Sequence, residues 1–199
     1  DDARFTLAYQ NYEESRIDRT RASNNRNIQT DQVDATSINW DATKKIGKGQ
    51  LFYGLEYVHN KVGSFGKRTN ISTNTITPTV SRYPDGSTLS TTSIYSSYEI
   101  NLHTKVTLTA GLRYSYNTLD ASFDTTFIKF PYQDAALRDG AVTGNFGLVF
   151  RPAEGWQLNG NISTGYRMPN VDDIGKLFES IPGNITVPNP DLIPEYAWN

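Results

Sequence analysis

Two arginines, a tyrosine and a histidine are the side chains of this sequence best suited to hold a ligand. Arg113 falls among Val106, Leu108, Ala110, Leu112, Tyr114 and Tyr116, out of phase with their alternation. Arg167 follows Tyr166 at the end of a second alternating run. A guanidinium presents a planar fork of donors that engages carboxylates bidentately, so both arginines suit an anionic ligand. Their competing role is a charge pair with a carboxylate of the same protein. His59 ends another alternating run beside a long polar stretch, within reach of something outside; its bland alternative is an interfacial residue. His103 falls in a short link and is assigned no function. Met168 carries a soft sulfur able to ligate haem iron, but a lone methionine is far more often a packing residue.

Catalysis and metal binding find little support. Asp172-Asp173 with Glu179 fits no calcium-loop spacing and reads as solvated loop acids. No Ser-His-Asp set, P-loop or zinc motif is present, so no catalytic residue, metal site or resident cofactor is expected. The net charge of −2 argues against nucleic acid as a partner. The absence of cysteine excludes disulfides and suits passage through an oxidising compartment without bridges. Three Asn-x-Ser/Thr sites, at Asn70, Asn161 and Asn184, are read as carrying no meaning.

The elements that must position these residues are strands. Period-two alternation marks seven of them, over about Arg4–Glu13, Gln32–Lys44, Gln50–Lys61, Thr92–Leu102, Val106–Tyr116, Asn145–Arg151 and Trp156–Arg167. Residues from Glu195 to Asn199 look like the start of an eighth. The fourth is the least regular, because Tyr95 and Tyr98 fall on opposite faces. The links between strands alternate in length. Those at 15–31, 62–91, 119–140 and 168–193 are long, whereas those at 45–49, around 103–105 and at 152–155 are tight. Tight turns at one end and long loops at the other are the mark of an outer-membrane β-barrel.

Two further features agree. The strands approach the roughly 9–11 residues needed to cross a bilayer. Aromatic residues also gather near strand ends: Tyr57, Tyr114, Tyr116 and Tyr166 by long links, Trp40, Phe150 and Trp156 by tight ones. That is the pattern of two interfacial belts. Low mean hydropathy does not oppose this, since only alternate residues of such strands face lipid. The polar face, with Glu56, Arg113, Asn145, Asn159, Asn161 and Arg167, would then line a wet lumen. The expected fold is all-β: an antiparallel up-and-down meander, a fragment of a transmembrane β-barrel holding about seven to eight strands of a larger one. Both ends look cut, so residues 1–199 read as a partial barrel domain. A soluble β-sandwich that binds carbohydrate remains as the alternative, its polar faces turned to solvent.

Two short boxes near the C-terminus carry a resemblance. The first is Gly165-Tyr166-Arg167-Met168-Pro169-Asn170; the second is Asn189-Pro190-Asp191-Leu192-Ile193-Pro194-Glu195, preceded by Pro188. They resemble the paired boxes of TonB-dependent outer-membrane receptors, with weaker echoes in Gly54-Leu55-Glu56-Tyr57 and Gly111-Leu112-Arg113-Tyr114. Met168 stands where that family usually has Ala. The resemblance implies a bacterial outer-membrane receptor that imports a scarce nutrient. An iron siderophore or haem is the first expectation, with glycan or cobalamin as alternatives. It implies a lipid bilayer around the wall and energy from the TonB complex, acting through a plug that this sequence does not contain. Haem receptors of the family often carry a histidine between the boxes; here 170–188 has none. On this reading Arg167, Tyr166, Arg113 and His59 are the candidate ligand contacts. The boxes themselves are expected to fix both roots of one extracellular loop, with Pro169 ending strand pairing.

Overall fold

The structure is a computed structural model that describes residues 1–129, 132–175, 178–181, 184–186, 189 and 191–199, the backbone alone over 178–181 and 184–186. Pro188 and Pro190 of the second box lie outside the described residues.

Seven long antiparallel strands form an up-and-down meander: β1 (Asp2–Asp18), β2 (Asn25–Ile46), β3 (Gly49–Asn70), β5 (Ser87–His103), β6 (Val106–Ser122), β7 (Asp134–Phe150) and β8 (Leu158–Arg167). A short strand, β4 (Thr75–Thr79), adds to the far end of β3, and β11 (Glu195–Trp198) pairs with β8 as the eighth strand of the meander. Between β8 and β11 lie a single helical turn, α1 (Val171–Gly175), and a small separate hairpin, β9 (Phe178–Ile181) with β10 (Asn184–Thr186). The sheet is open, as expected of the meander. At the tight end the link Gly47-Lys48 closes on the Ile46–Gly49 pair, helped by a φ of 60° at Gly47.

The strands run further than their alternation suggested. β1 continues to Asp18, β2 begins at Asn25 rather than Gln32, β3 extends to Asn70, and β6 and β7 reach Ser122 and Asp134. Much of the expected loops at 15–31, 62–91 and 119–140 is therefore ladder. The reason is that alternation reports the contrast between two faces. Where both faces become polar, as over 67–70, the signal fades although pairing persists, and where the apolar residues change sides, as at Leu119 and Ala121, the phase breaks.

Register makes the two faces explicit. One cross-strand row joins Phe5, Trp40, Leu55, Ile94, Tyr114 and Val142; the row above joins Leu7, Ile38, Tyr57, Thr92, Tyr116 and Gly140. Lower rows hold Leu112, Phe146, Leu108 with Leu148, and Phe150 with Leu158. Most of these apolar side chains are exposed, Leu112 to 66% and Val142 to 64%. Eleven positions of β6, from 106 to 116, span this band. At a rise of about 3.3 Å and a tilt of about 40° they cover about 25 Å, the height of a membrane barrel's apolar belt. Trp40 shares the row of Tyr114 instead of marking the tight end, because β2 runs on to Ile46 beyond it.

The opposite face is polar for most of its height. Ascending from the tight turns, its rows read Gln50, Glu99 and Thr109; Thr43, Phe52, Ser97, Gly111, Asn145 and Ser163; Asp41, Gly54, Tyr95, Arg113 and Thr143; Asn39, Glu56, Ser93 and Ser115. Above Asn117 it turns apolar. Val62, Leu119, Ala121 and Ala135 form a small core with Phe123, Val171 and Ile174, and Leu119 and Ile174 are fully buried. The cover comes from the chain's own connections: the strap at 80–86 and α1 fold over this face, bringing Gly175 against Pro84.

Candidate functional site

Period two places Arg113 on the polar face, as the sequence reading has it. Its Nη2 donates to Glu56 across two strands and to Ser93 Oγ at 2.8 Å, and its Nε donates to Ser115 Oγ at 3.1 Å. The guanidinium lies over the Tyr95 ring, 5.5 Å from its centre, and the Tyr95 hydroxyl donates to Asp41. This aromatic bridge requires Gly54, since a Cβ there would overlap the Tyr95 hydroxyl. Tyr95 and Tyr98, which blurred the sequence pattern, take opposite faces: Tyr98 crosses outward over Gly49 and donates to the Ile46 carbonyl at 2.7 Å. The wall thus presents one guanidinium, two carboxylates, a phenol and two hydroxyls in a single patch. Arg113 keeps about a third of its side chain exposed.

The loop root forms a second group. Arg167 donates through Nη2 to both oxygens of Asp173, at 2.8 and 2.6 Å, and its Nη1 stands 3.5 Å from Glu195. Glu195 is its direct cross-strand partner, so the arginine of the first box and the last residue of the second meet here. Asn170 and Asp173 cap each other: the Asp173 backbone N–H donates to Asn170 Oδ1 at 3.0 Å, and the Asn170 N–H donates to Asp173 Oδ2 at 2.9 Å. That reciprocal cap is what lets so short a turn form. The Asn189 N–H then donates to the Ile174 carbonyl at 3.0 Å, tying the second box to the turn the first one starts. Pro169 is buried and β8 ends two residues before it.

Tyr166 has the phase of the outward residues of β8, yet its hydroxyl donates to Asp139 at 3.0 Å and accepts from Asn117 at 3.5 Å. Both partners belong to the polar face. The ring reaches them because the β7–β8 ladder stops at Asn145–Ser163, where Thr164 Oγ1 takes the Gly144 N–H. His59 falls on the outward face, in a row with Thr36, Ser90 and Thr118 just above the apolar band, its Nδ1 2.8 Å from Ser90 Oγ. The structure therefore brings Tyr166 to the same wall as Arg113 and leaves His59 on the other side of it. Among the described residues no cluster of three or more His, Cys, Asp or Glu could hold a metal ion.

A third group was not singled out from the sequence. Arg82 lies buried in the strap, between Asp31 Oδ2 at 3.6 Å and Asp172 Oδ1 at 3.9 Å, and covers the Tyr83 ring at 4.8 Å. Ser64 Oγ donates to Asp31 at 2.6 Å and accepts the Tyr83 N–H at 3.1 Å; Asp85 accepts the Ser64 N–H at 3.0 Å. The Tyr83 hydroxyl donates to Asp172 at 2.6 Å. Burial and then the Asp172 carboxylate hold that phenol well above its ordinary range, so it stays a donor. The only sequence signal was the turn Tyr83-Pro84-Asp85-Gly86, in a stretch otherwise rich in Ser and Thr.

The model of the TonB-dependent receptor-like β-barrel matches residues 1–199. The chain belongs to that family. No curated protein matches its sequence. Among solved structures, the copper transporter OprC is similar over 86% of this chain and 28% of its own length, at 11% identity and a TM-score of 0.74. The Serratia marcescens hemophore receptor HasR, in complex with its hemophore and heme, is similar over 98% of this chain and 36% of its own, at 14% identity and a TM-score of 0.63. The ferric yersiniabactin uptake receptor FyuA of Yersinia pestis covers 86% and 28%, at 17% and 0.58. The chain thus spans about a third of these receptors or less, and at such identities the likeness speaks for the fold. The family is one of transport receptors of the bacterial outer membrane that work with TonB, not of enzymes.

Proposed function

We propose that residues 1–199 form part of the barrel wall of an outer-membrane receptor that binds and imports a scarce iron-containing nutrient, a ferric siderophore or haem, with energy from TonB. The observation that carries this reading is the division of one sheet into two faces. The outward face holds an apolar band about 25 Å tall, suited to a bilayer. The other face holds the Arg113–Glu56–Tyr95–Asp41 patch with Asn117, Asp139 and Tyr166 above it. Such a wall is a wet lumen lined with donors and acceptors, and the loop groups stand over its long-loop end. Coupling to TonB would act through a plug, whose residues are not among these.

Within this reading Arg167, Tyr166 and Arg113 are proposed to meet the ligand or the groups that fill the lumen. His59, on the outward face, would have to do so from the rim. The test is growth of a strain lacking the gene on single iron sources. Failure on haem or on one ferric siderophore, restored by the wild-type gene, is the expected result. Normal growth on every iron source, with a defect on a glycan or cobalamin, would leave the receptor class standing and remove iron as the cargo.

A further inference from the structure

The buried arginine of the strap is unusual in what it lacks. A guanidinium carries five N–H donors, and a carboxylate that meets it fork to fork uses two of them. Among the described residues Arg82 donates no direct hydrogen bond; its two carboxylate partners stand off at 3.6 and 3.9 Å. Those partners differ sharply. Asp31 is buried, fixed by Ser64 and part of the wall, and among the described residues its Oδ2 accepts no hydrogen bond. Asp172 is 47% exposed and arrives on α1, a turn of only five residues. So short a helix has little stability of its own and holds its place by docking. Its docking contacts include Val171 and Ile174 in the small core, Gly175 against Pro84 and Asp173 on Arg167. Asp172 Oδ1 sits where a phenol O–H and a guanidinium converge, 2.6 Å from Tyr83 Oη and 3.9 Å from Arg82 Nη2.

We propose that Arg82 and Tyr83 form a subsite for an anionic oxygen group of the imported ligand, a place that Asp172 of the same chain fills in this structure. A ligand carboxylate takes the position of Asp172 Oδ1, accepts from Tyr83 and closes on Arg82. Displacing Asp172 loosens α1, which loses its bond to Tyr83. The subsite rests on the receptor reading above and deepens it, because it selects ligands bearing free carboxylates. Ferric carboxylate chelates and haem propionates share that chemistry.

The test uses the full-length receptor in detergent, titrated with ferric citrate, haemin and ferrioxamine B, the last a cationic chelate without free carboxylates. Asp172→Asn removes the internal competitor and is expected to tighten binding of a carboxylate probe about tenfold, the change equal to one charge-assisted contact. Arg82→Gln is expected to weaken it by a similar factor, with Arg82→Lys in between. In the double variant the gain from Asp172→Asn should vanish, since it acts only through Arg82. A response confined to haemin assigns the carboxylates to haem, and one confined to ferric citrate assigns them to a ferric chelate. Equal changes for ferrioxamine B, or no change in Asp172→Asn, would overturn the subsite. If wild type binds none of the three, the iron reading fails and the subsite is judged on iron-free citrate. The readout is then thiol labelling of Ile174→Cys, buried while α1 is docked. Citrate should speed labelling in the otherwise wild-type protein and not with Arg82→Gln; no acceleration in either overturns the proposal.

Discussion

Arg113 shows how a single charged side chain is kept inside a wall that faces water on one side and apolar surroundings on the other. Its partners come from β3, β5 and β6, so the cluster ties three strands side by side. Charge-assisted hydrogen bonds contribute about 1.5–3 kcal/mol each when shielded. Here both charged partners are roughly a third exposed, and solvent screening reduces the net worth. Arg113→Leu in the full-length receptor is therefore expected to cost about 1–2 kcal/mol, read as a lower thermal unfolding midpoint in detergent. Most of that cost is the Glu56 carboxylate left without its cation. The double replacement Arg113→Leu with Glu56→Leu should recover a good part of the loss. A double variant less stable than the single one would mean that Arg113 acts through packing on Tyr95. Gly54→Val tests the same patch from the steric side, because its side chain would displace Tyr95 from above the guanidinium.

At the scale of elements, period two proved a reliable guide wherever the two faces of a strand differ. It gave the inward phase of Arg113 and the outward phase of Leu108, Leu112, Leu148 and Leu158, and it placed every tight turn within a few residues. It faltered where both faces are polar, as over 67–70, and where the apolar residues change sides, as at Leu119 and Ala121. It also faltered where a contact depends on a strand leaving its ladder, as with Tyr166. Arg82 was illegible for a third reason: nothing in a Ser- and Thr-rich connection announces that it folds back onto Asp31, 51 positions earlier. The boxes were legible as loop roots, but their joint task was visible only in space, where Asn170 and Asp173 cap α1 and Asn189 closes on it. Two measurements follow. Fluorophores on single cysteines at positions 108, 112, 148 and 158 of the full-length receptor should be quenched by lipid-borne quenchers, and cysteines at 113, 145 and 159 should react with water-borne reagents. Mixed labelling along β6 would refute the register. Asn170→Ala removes half of the reciprocal cap and should cost about 1 kcal/mol of α1 docking. It would be seen as faster labelling of Ile174→Cys, with the barrel's own unfolding unchanged.

The whole molecule joins two surfaces with incompatible solvents through a sheet one strand thick. Phe5, Leu7, Leu112, Val142 and Ile162 stand more than 60% exposed on one face, while the other is polar and closed above by the strap and α1. Among the described residues the buried core is essentially the small cluster under that cover, so packing within it supplies little of the hydrophobic stabilisation that a water-soluble domain of this size needs. The ladders are long, with β2 and β3 at 22 residues each, and the outer edge of β1 carries unpaired N–H and C=O groups over 17 residues. Exposed edges of that length recruit further strands, and exposed apolar faces recruit lipid or each other. Residues 1–199 expressed alone should therefore self-associate in plain buffer and disperse only in detergent, with an edge-driven, concentration-dependent association remaining in the micelle. Sedimentation across a range of protein and detergent concentrations distinguishes the two terms: detergent should relieve the face, and charged residues placed along the outer edge of β1 should relieve the edge. A monodisperse monomer that unfolds cooperatively in buffer would show that the apolar face closes on itself. The membrane-wall reading would then give way to the soluble sandwich.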